Sequence, residues 1–316
     1  MSNVPENPIS RIAIVGPTAV GKTSLAVELC QRFNGEVINA DSRQAYRKMD
    51  IGTAKATVEE TSLAPHHLID FLEPSEVLGL GTFLPLAQAA SDDITYRGKR
   101  PILAGGTGQY IWAALEGQTI PAVPPDPEFR AALEKQASMD GGGENLHDRL
   151  RQVDPVRADA LDARNVRRVI RALEIYYITG QKPSDLVSTA PKIRNNLVLG
   201  LTMSRESLYR RIDDRVDNMM KAGLLVEVER LAAEGYPMGE GALDSPGYRE
   251  LGQHLKGELS LNEAVARTKT QTHRLARRQY AWFKSSDSRI TWLDASNSRT
   301  LEQAVDLVSS FLEVPE

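Results

Sequence analysis

The sequence contains a single cysteine, Cys30, among its 316 residues. One thiol allows no internal disulfide and no zinc site built from several thiolates. We interpret Cys30 as a small core residue, because it lies in an apolar stretch with Leu25, Leu29 and Phe33. The cysteine content therefore indicates a reducing, cytoplasmic setting.

Long hydrophobic runs are also missing from the chain. No stretch approaches the roughly 20 apolar residues that a membrane-spanning helix needs. Near the N-terminus, Arg11 is followed by only four apolar residues before Gly16, which is too short a run for a signal peptide. We therefore expect no membrane partner.

The chain as a whole carries no excess of positive charge. The formal net charge is −4, which argues against nucleic-acid binding by the entire surface. Hydrophobic residues make up 41% and charged residues 25%, which is the composition of an ordinary globular protein. The basic residues are nonetheless clustered in two segments of the second half.

The sequence does contain a regular alternation of strand-like and helix-like segments. Short apolar runs rich in β-branched residues are predicted to be strands, and they lie at 11–15, 36–40, 67–70, 101–104, 197–201 and 290–293. The early runs are each followed by a polar loop and a helical pattern. This alternation predicts an α/β fold with a parallel sheet covered by helices on both faces.

A change of sequence pattern near residue 121 predicts a domain boundary. Four prolines lie between 121 and 127, and a helical pattern follows from about 128 to 177, broken only at Gly141–Gly143. We interpret 122–193 as a helical insertion domain. The core would then consist of 1–121 and 194–316, the second part carrying basic helices.

Residues 16–23 match the phosphate-binding pattern G-x-x-x-x-G-K-[ST] without a mismatch, between a predicted strand and a predicted helix. We call this segment the phosphate loop; it is Gly16, Pro17, Thr18, Ala19, Val20, Gly21, Lys22 and Thr23. Its glycines let backbone N–H groups converge on phosphate oxygens, and the Thr23 hydroxyl can bind Mg²⁺. The loop alone does not distinguish kinases, nucleotide hydrolases and other transferases.

Asp41 follows the second predicted strand, at the sheet edge where open α/β proteins place their sites. Its carboxylate could bind Mg²⁺ or act as a general base beside a bound phosphate. A helix N-cap shared with Ser42 is the structural alternative.

Two basic segments stand out against the net negative charge. Arg164, Arg167, Arg168 and Arg171 recur at helical spacing and should share one helix face. Such a stripe suits a phosphate backbone, but carboxylates such as Asp162 and Glu174, or solvent alone, could also balance it.

The second basic segment, 264–286, contains six lysines and arginines and no acid. Its aromatic residues Tyr280, Trp282 and Phe283 could stack on unpaired bases. We expect at least one of Trp282 and Phe283 to be buried in the core instead.

Several motifs in order are similar to those of the tRNA dimethylallyltransferase family. They are the phosphate loop, Asp41-Ser42-Arg43-Gln44, 49–55, 66–70, Gly105-Gly106-Thr107-Gly108, 165–174 and 247–250. The resemblance covers about residues 11–293. It implies a P-loop nucleoside-triphosphatase-like core and transfer of a dimethylallyl group from dimethylallyl diphosphate to N6 of an adenosine beside the tRNA anticodon.

The resemblance also implies roles for individual residues. The phosphate loop would hold the diphosphate leaving group, with Mg²⁺ at Thr23. Asp41 would be the catalytic acid that accepts the N6 proton, and Arg215 would steady the departing diphosphate. From charge alone, Arg215 could equally be an ion-pair partner of Asp214.

The partner that the resemblance implies is the anticodon stem-loop of tRNA, bound by a protein that we expect to be a monomer. The implied tRNA-binding residues are Asp41, Ser42, Arg43, Gln44, Thr107, Arg130, Arg167, Arg168, Val169, Ile170, Arg171, Asp244, Ser245, Pro246, Gly247, Tyr248, Arg249, Arg277, Arg278, Gln279, Tyr280, Ala281, Trp282, Phe283 and Lys284. Val20 and Gln109 depart from the usual family residues but remove no group assigned to chemistry. His66 and His67 are adjacent, which is poor spacing for metal binding, and we interpret them as structural.

Two other functions share part of this pattern. A kinase of small metabolites would have the loop, Mg²⁺ and an early aspartate, but it would not need the acid-free segment 264–286. A GTP-dependent switch would carry an N-K-x-D segment, which the sequence lacks.

Overall fold

The structure is a computed structural model that describes residues 12–119, 123–186, 188–189 and 196–313. These residues divide into two compact units, one between 117 and 192 and the other made of the chain before and after that segment. We refer to them as the helical unit and the core unit.

The core unit is built on a six-stranded parallel sheet. Its strands are β1 (Ile12–Val15), β2 (Gly35–Asn39), β3 (His66–His67), β4 (Arg100–Ala104), β7 (Leu197–Thr202) and β8 (Ile290–Asp294). Their spatial order is β3-β2-β4-β1-β7-β8, and every neighbouring pair is parallel. All four residues of β1 are buried, which requires cover on both faces of the sheet.

Helices of the core unit cover the sheet and extend beyond it. They are α1 (Lys22–Phe33), α2 (Val58–Leu63), α3 (Leu80–Tyr96), α4 (Gly108–Leu115), α10 (Arg205–Lys221), α11 (Leu224–Ala233), a 3₁₀ turn (Gly241–Leu243), α12 (Tyr248–Leu255), α13 (Leu261–Trp282) and α14 (Thr300–Glu313). Helices α1 and α14 pack together against the sheet, as do α3 and α4. A second apolar cluster joins Tyr46 and Met49 to α11 and α12.

The helical unit contains five helices and a short ribbon within the described residues. The helices are α5 (Pro127–Ala137), α6 (Gly142–Val153), α7 (Pro155–Asp159), α8 (Val166–Thr179) and α9 (Pro183–Leu186). Strands β5 (Gln118–Thr119) and β6 (Ser188–Thr189) pair antiparallel. Leu146, Leu150 and Leu173 lie in a core of its own.

Most predicted strands of the sheet are confirmed to within a residue or two, but the strand predicted at 67–70 is wrong. Only His66 and His67 pair in β3. Leu68 and Asp70 have φ angles of 61° and 58°, and this left-handed backbone cannot continue a strand. Residues 204–283 form four α-helices and the 3₁₀ turn.

Candidate functional site

The phosphate loop connects β1 to α1 and has the backbone shape of an anion site. Gly16 has a φ of 142°, and a Cβ on it would lie 2.5 Å from the Leu201 carbonyl oxygen, so only glycine fits. Among the described residues, the backbone N–H groups of Gly21, Lys22 and Thr23 have no acceptor. They are free donors at the N-terminus of a 12-residue helix, where the helix dipole favours an anion.

Two desolvated cations face the space in front of this loop. Burial lowers the pKa of Lys22 to about 8, with Arg215 lowering it further and Asp41 opposing the shift. Its Nζ donates to the Pro17 carbonyl oxygen at 2.7 Å. Burial also lowers the pKa of Arg215, which forms no ion pair with Asp214 or with any other described residue. A phosphate between them would supply the missing negative charge.

Asp41 lies just beyond β2 and is fixed through its backbone. Its N–H donates to Asn39 Oδ1 at 3.0 Å, and its carbonyl oxygen accepts from Asn39 Nδ2 at 3.1 Å. Its carboxylate accepts one hydrogen bond, from the Arg43 N–H to Oδ1 at 3.1 Å. The other oxygen, Oδ2, has no hydrogen-bond partner among the described residues. Asp41 is not a helix N-cap, because the next helix, α2, begins only at Val58.

Two cavities meet at Asp41. The first cavity has a volume of about 620 Å³, and its lining includes Lys22, Thr23, Asp41 and Arg215. The second cavity has a volume of about 360 Å³, and Asp41 and Arg215 line it too. The residues lining both are Thr18, Asp41, Thr53, Arg215 and Met219. A reactant in each cavity would therefore be in reach of the same carboxylate and the same guanidinium.

The second cavity has a basic and aromatic lining. Arg278 is exposed there and forms no ion pair with any described residue, whereas Arg249 Nε donates to Asp244 Oδ1 at 2.6 Å. Trp282 also lines the cavity with 42% of its surface exposed, while Phe283 is fully buried. The expectation that at least one of these two aromatics belongs to the core is confirmed for Phe283.

Other expected tRNA-binding residues are distributed unevenly between surface and core. Ser42, Arg43 and Gln44 flank the site; Ser42 N–H donates to Thr107 Oγ1 at 3.0 Å. Arg277, Ala281 and Lys284 are exposed, and Pro246 and Tyr280 are half-buried. The side chains of Val169, Ile170, Ser245, Tyr248 and Gln279 are buried, as is Gly247. Three of these buried residues, Ser245, Gly247 and Gln279, nevertheless line the second cavity.

The arginines of the helical unit are partly neutralised. Glu174 is fully buried and accepts from Arg130 Nε at 2.9 Å, from Arg130 Nη2 at 2.8 Å and from Arg171 Nη1. Arg164 is paired with Asp162. Arg167 and Arg168 are exposed and have no ion-pair partner among the described residues. Helix α8 begins only at Val166, so the prediction that all four arginines share one helix face is wrong for Arg164, and carboxylates balance Arg164 and Arg171.

Glu227 is a site residue that sequence reasoning missed. It is 5% exposed, and its carboxylate accepts from the backbone N–H groups of Asp50, Ile51 and Gly52 at 2.8–3.1 Å. The Tyr248 hydroxyl donates to it at 2.6 Å. Glu227 therefore anchors a loop that lines both cavities. The sequence feature that could have identified Glu227 is an acidic residue inside the apolar run of α11.

No group of three or more metal-ligating side chains occurs among the described residues. His66 Nδ1 lies 2.8 Å from the Ala64 carbonyl oxygen, and His67 Nε2 lies 2.7 Å from Glu36 Oε2. One ring nitrogen of each histidine is therefore held by the protein, but His66 also lines the first cavity and its buried Nε2 has no partner among the described residues, so a structural role for both histidines stays a prediction. Within the phosphate loop, the Thr23 hydroxyl is the side-chain group that could bind a metal together with phosphate oxygens.

A phosphate loop heading a parallel sheet, with an acid where two cavities meet, defines a group-transfer enzyme of the phosphate-loop class. Comparison with known proteins narrows this class. The family model for IPP transferase matches residues 44–286, and that for isopentenyl transferase matches residues 10–68. The chain belongs to the tRNA dimethylallyltransferase family.

Individual relatives support this assignment over nearly the whole chain. A tRNA dimethylallyltransferase of Roseiflexus sp. is 47% identical over 305 residues, which cover 96% of this chain and 99% of the relative. The crystal structure of a tRNA isopentenylpyrophosphate transferase from Bacillus halodurans is 39% identical, with a TM-score of 0.71, covering 96% of this chain and 97% of that one. A eukaryotic dimethylallyltransferase acting on tRNA is 31% identical, with a TM-score of 0.81, covering 96% of this chain and 79% of that one.

Within the described ranges, no helix is both long enough and apolar enough to cross a bilayer.

Proposed function

We propose that this chain transfers a dimethylallyl group from dimethylallyl diphosphate to N6 of the adenosine adjacent to the tRNA anticodon, releasing diphosphate. The observation that carries the proposal is that the two cavities share Asp41 and Arg215. A transfer reaction needs a donor and an acceptor on opposite sides of one set of catalytic groups, and this arrangement supplies such a set.

The first cavity suits the donor. Free N–H groups at the start of α1, together with Lys22 and Arg215, can surround a diphosphate. The Thr23 hydroxyl and the phosphate oxygens fit Mg²⁺, which favours oxygen ligands and retains several waters. When bound, Mg²⁺ would offset negative charge on the diphosphate oxygens.

The second cavity suits the acceptor base. An adenine stacked in the anticodon arm cannot reach Asp41, so it has to be turned out of the stack into this cavity. Trp282 offers a face for stacking, and Arg278 offers a cation for the neighbouring phosphates. We propose that Arg167 and Arg168 of the helical insertion at 122–193 contribute further phosphate contacts.

The reaction would form a bond between N6 and the first carbon of the dimethylallyl group. The N6 lone pair attacks this carbon while its bond to the diphosphate oxygen breaks, and that bonding pair leaves on the diphosphate. Asp41 accepts the N6 proton through its free carboxylate oxygen. Arg215 and Lys22 stabilise the charge that grows on the leaving group.

Both cavities lie within one copy of the chain, so we propose that a monomer is active. We place the reaction in the cytoplasm, where a lone buried thiol such as Cys30 stays reduced.

A transfer assay tests this function directly. Purified protein, Mg²⁺, labelled dimethylallyl diphosphate and unmodified tRNA should yield prenylated adenosine in the digested nucleosides. Asp41→Ala should reduce turnover on the order of a thousandfold, because it removes the proton acceptor, while leaving donor binding nearly unchanged. Asp92→Ala, at an exposed position of α3, is the matched control and should retain full turnover.

Ligand preference provides a second measurement. Dimethylallyl diphosphate should raise the melting temperature more than ATP does at equal concentration, since a ligand stabilises the state that it binds. Consumption of ATP with a small metabolite, without prenylated tRNA, would replace this proposal by a kinase function.

A further inference from the structure

We propose that Gln279 is a positioning residue that ties helix α13 to the phosphate loop and to the loop that carries Thr107, and so keeps the donor site aligned with Asp41. This inference rests on the proposed function and assigns Gln279 a role other than the tRNA contact that the sequence resemblance implies.

The side chain of Gln279 is 7% exposed, and both ends of its amide are engaged. The Thr18 N–H donates to Oε1 at 2.7 Å, and Nε2 donates to the Gly106 carbonyl oxygen at 3.2 Å. The orientation of the amide is fixed, because turning it over would place Nε2 against a donor and Oε1 against an acceptor. Gln279 thus bridges the phosphate loop and the segment after β4.

The bridge ends next to the catalytic carboxylate. A Cβ on Gly106 would collide with Gln279 Nε2 and would lie 3.7 Å from Asp41 Oδ2. The next residue, Thr107, accepts from the Ser42 N–H at 3.0 Å, beside Asp41. The hydrogen bonds of Gln279 and Thr107, joined by the Gly106–Thr107 peptide bond, therefore link the phosphate loop to Ser42, the residue that follows Asp41.

The same helix presents the acceptor surface. Arg278 precedes Gln279 and Trp282 follows it by one turn, and both line the second cavity. The indole N–H of Trp112 in α4 donates to the Trp282 carbonyl oxygen at 3.2 Å, so this end of α13 is fixed to the core. Helix α13 thus faces RNA with its exposed side chains and holds the phosphate loop with its buried one.

Gln279→Met tests the bridge, because methionine has a similar length and offers neither hydrogen bond. We expect the KM for dimethylallyl diphosphate to rise and kcat to fall, each on the order of tenfold. The Kd for tRNA without donor should stay within about twofold of wild type, because Gln279 lines the second cavity with an amide that is already bound to Thr18 and Gly106. Gln271→Met, a glutamine on the same helix outside the site, is the matched control and should leave all three unchanged.

Two further variants separate positioning from packing. Gln279→Glu should rescue donor binding in part, because a carboxylate still accepts from Thr18 but cannot donate to Gly106. Gly106→Ala should reproduce the Gln279→Met kinetics, because its methyl group displaces Nε2. Unchanged kinetics in Gln279→Met with a lowered melting temperature would show that Gln279 only packs, and would overturn the proposal.

A weakened Kd for tRNA with an unchanged KM for the donor would instead make Gln279 an RNA contact and would also overturn it. The bridge can be tested even if wild-type protein forms no prenylated tRNA. In that case the proposed function fails, while weaker binding of inorganic diphosphate to Gln279→Met than to Gln271→Met would still support the bridge. Equal binding would refute it.

Discussion

The helical unit and the core unit both contain clusters of basic side chains, but the two clusters differ in how these charges are paired with carboxylates. In the helical unit, Glu174 binds Arg130 and Arg171, and Asp162 binds Arg164. In the core unit, Lys269 is paired with Asp217, but three cations that line the two cavities, Lys22, Arg215 and Arg278, have no ion-pair partner among the described residues. The sequence already indicated part of this difference, because it offered Asp162 and Glu174 as partners for the arginines at 164–171 and no acid within 264–286.

This difference separates cations that stabilise a fold from cations that are available to a ligand. An arginine bound to a buried carboxylate contributes to the unit that contains it. A desolvated cation without such a partner is costly to the fold and is retained at sites that bind anions. We therefore expect the unpaired cations of the core to dominate binding of both substrates, with Arg167 and Arg168 as the available cations of the helical unit.

The largest effect should follow from breaking the pairing in the helical unit. Burial alone would raise the pKa of Glu174, but hydrogen bonds from Arg130 and Arg171 outweigh it and lower this pKa. Glu174→Gln should lower the unfolding free energy of the helical unit by about 3 kcal/mol, measured by amide hydrogen exchange in α5 and α8. Because the folded-state pKa is lowered, this contribution is present at neutral pH and lost as pH falls through that value.

Glu144→Gln, at an exposed position of α6, is the control for this variant and should change little. If Glu174→Gln instead leaves the unit stable and tightens tRNA binding, Arg130 and Arg171 bind RNA once they are released from Glu174. The contrast between paired cations of the helical unit and unpaired cations of the core unit then fails.

A smaller effect is expected from removing unpaired cations of the core. Arg277→Ala combined with Arg278→Ala should weaken tRNA binding on the order of tenfold at physiological salt. The slope of log Kd against log salt should also decrease by about 2, because two phosphate contacts are lost. Arg164→Ala removes an arginine already paired with Asp162 and should alter neither quantity appreciably. Equal slopes for the two variants would mean that pairing does not decide which arginines meet RNA.

The smallest effect should be a pH dependence of donor binding. The pKa of Lys22 is lowered to about 8 in the free protein, and a bound diphosphate would raise it. Affinity for dimethylallyl diphosphate should therefore fall as pH rises above about 8, by at most about tenfold per pH unit. Lys22→Arg keeps its charge over this range, and the ratio of the two Kd values isolates the titration of Lys22. A constant ratio from pH 7 to 9.5 would show that Lys22 stays protonated without ligand.

The architecture of the core could be predicted from sequence because its determinants are local. Strand-like runs, the phosphate loop and helical spacing each lie within a few residues, and they predicted the parallel sheet. The strand expected at 67–70 was wrong because the left-handed backbone at Leu68 and Asp70 leaves no mark on hydrophobic periodicity.

The site was predictable only in part. Thr23 belongs to the phosphate-loop motif and Asp41 follows a strand end, so both could be found from local sequence, whereas the role of Arg215 came from family resemblance. Glu227 and Gln279 bind segments that lie far away in sequence. Such long-range contacts depend on how α11 and α13 pack, and no local pattern specifies that packing.

The position of β1 in the sheet has a consequence for how the protein is made. Ile12 pairs with Ile102 on one side and with Leu197 on the other, and the whole helical unit lies between those two partners in the chain. On the ribosome, the helical unit has its own core complete before β7, Arg215 and Gln279 have been synthesised. The nascent chain therefore carries a phosphate loop long before it carries the residues that close the site around it. During synthesis the site therefore cannot be completed until α13 has been made, and a chain that ends before Arg215 lacks a cation that lines both cavities.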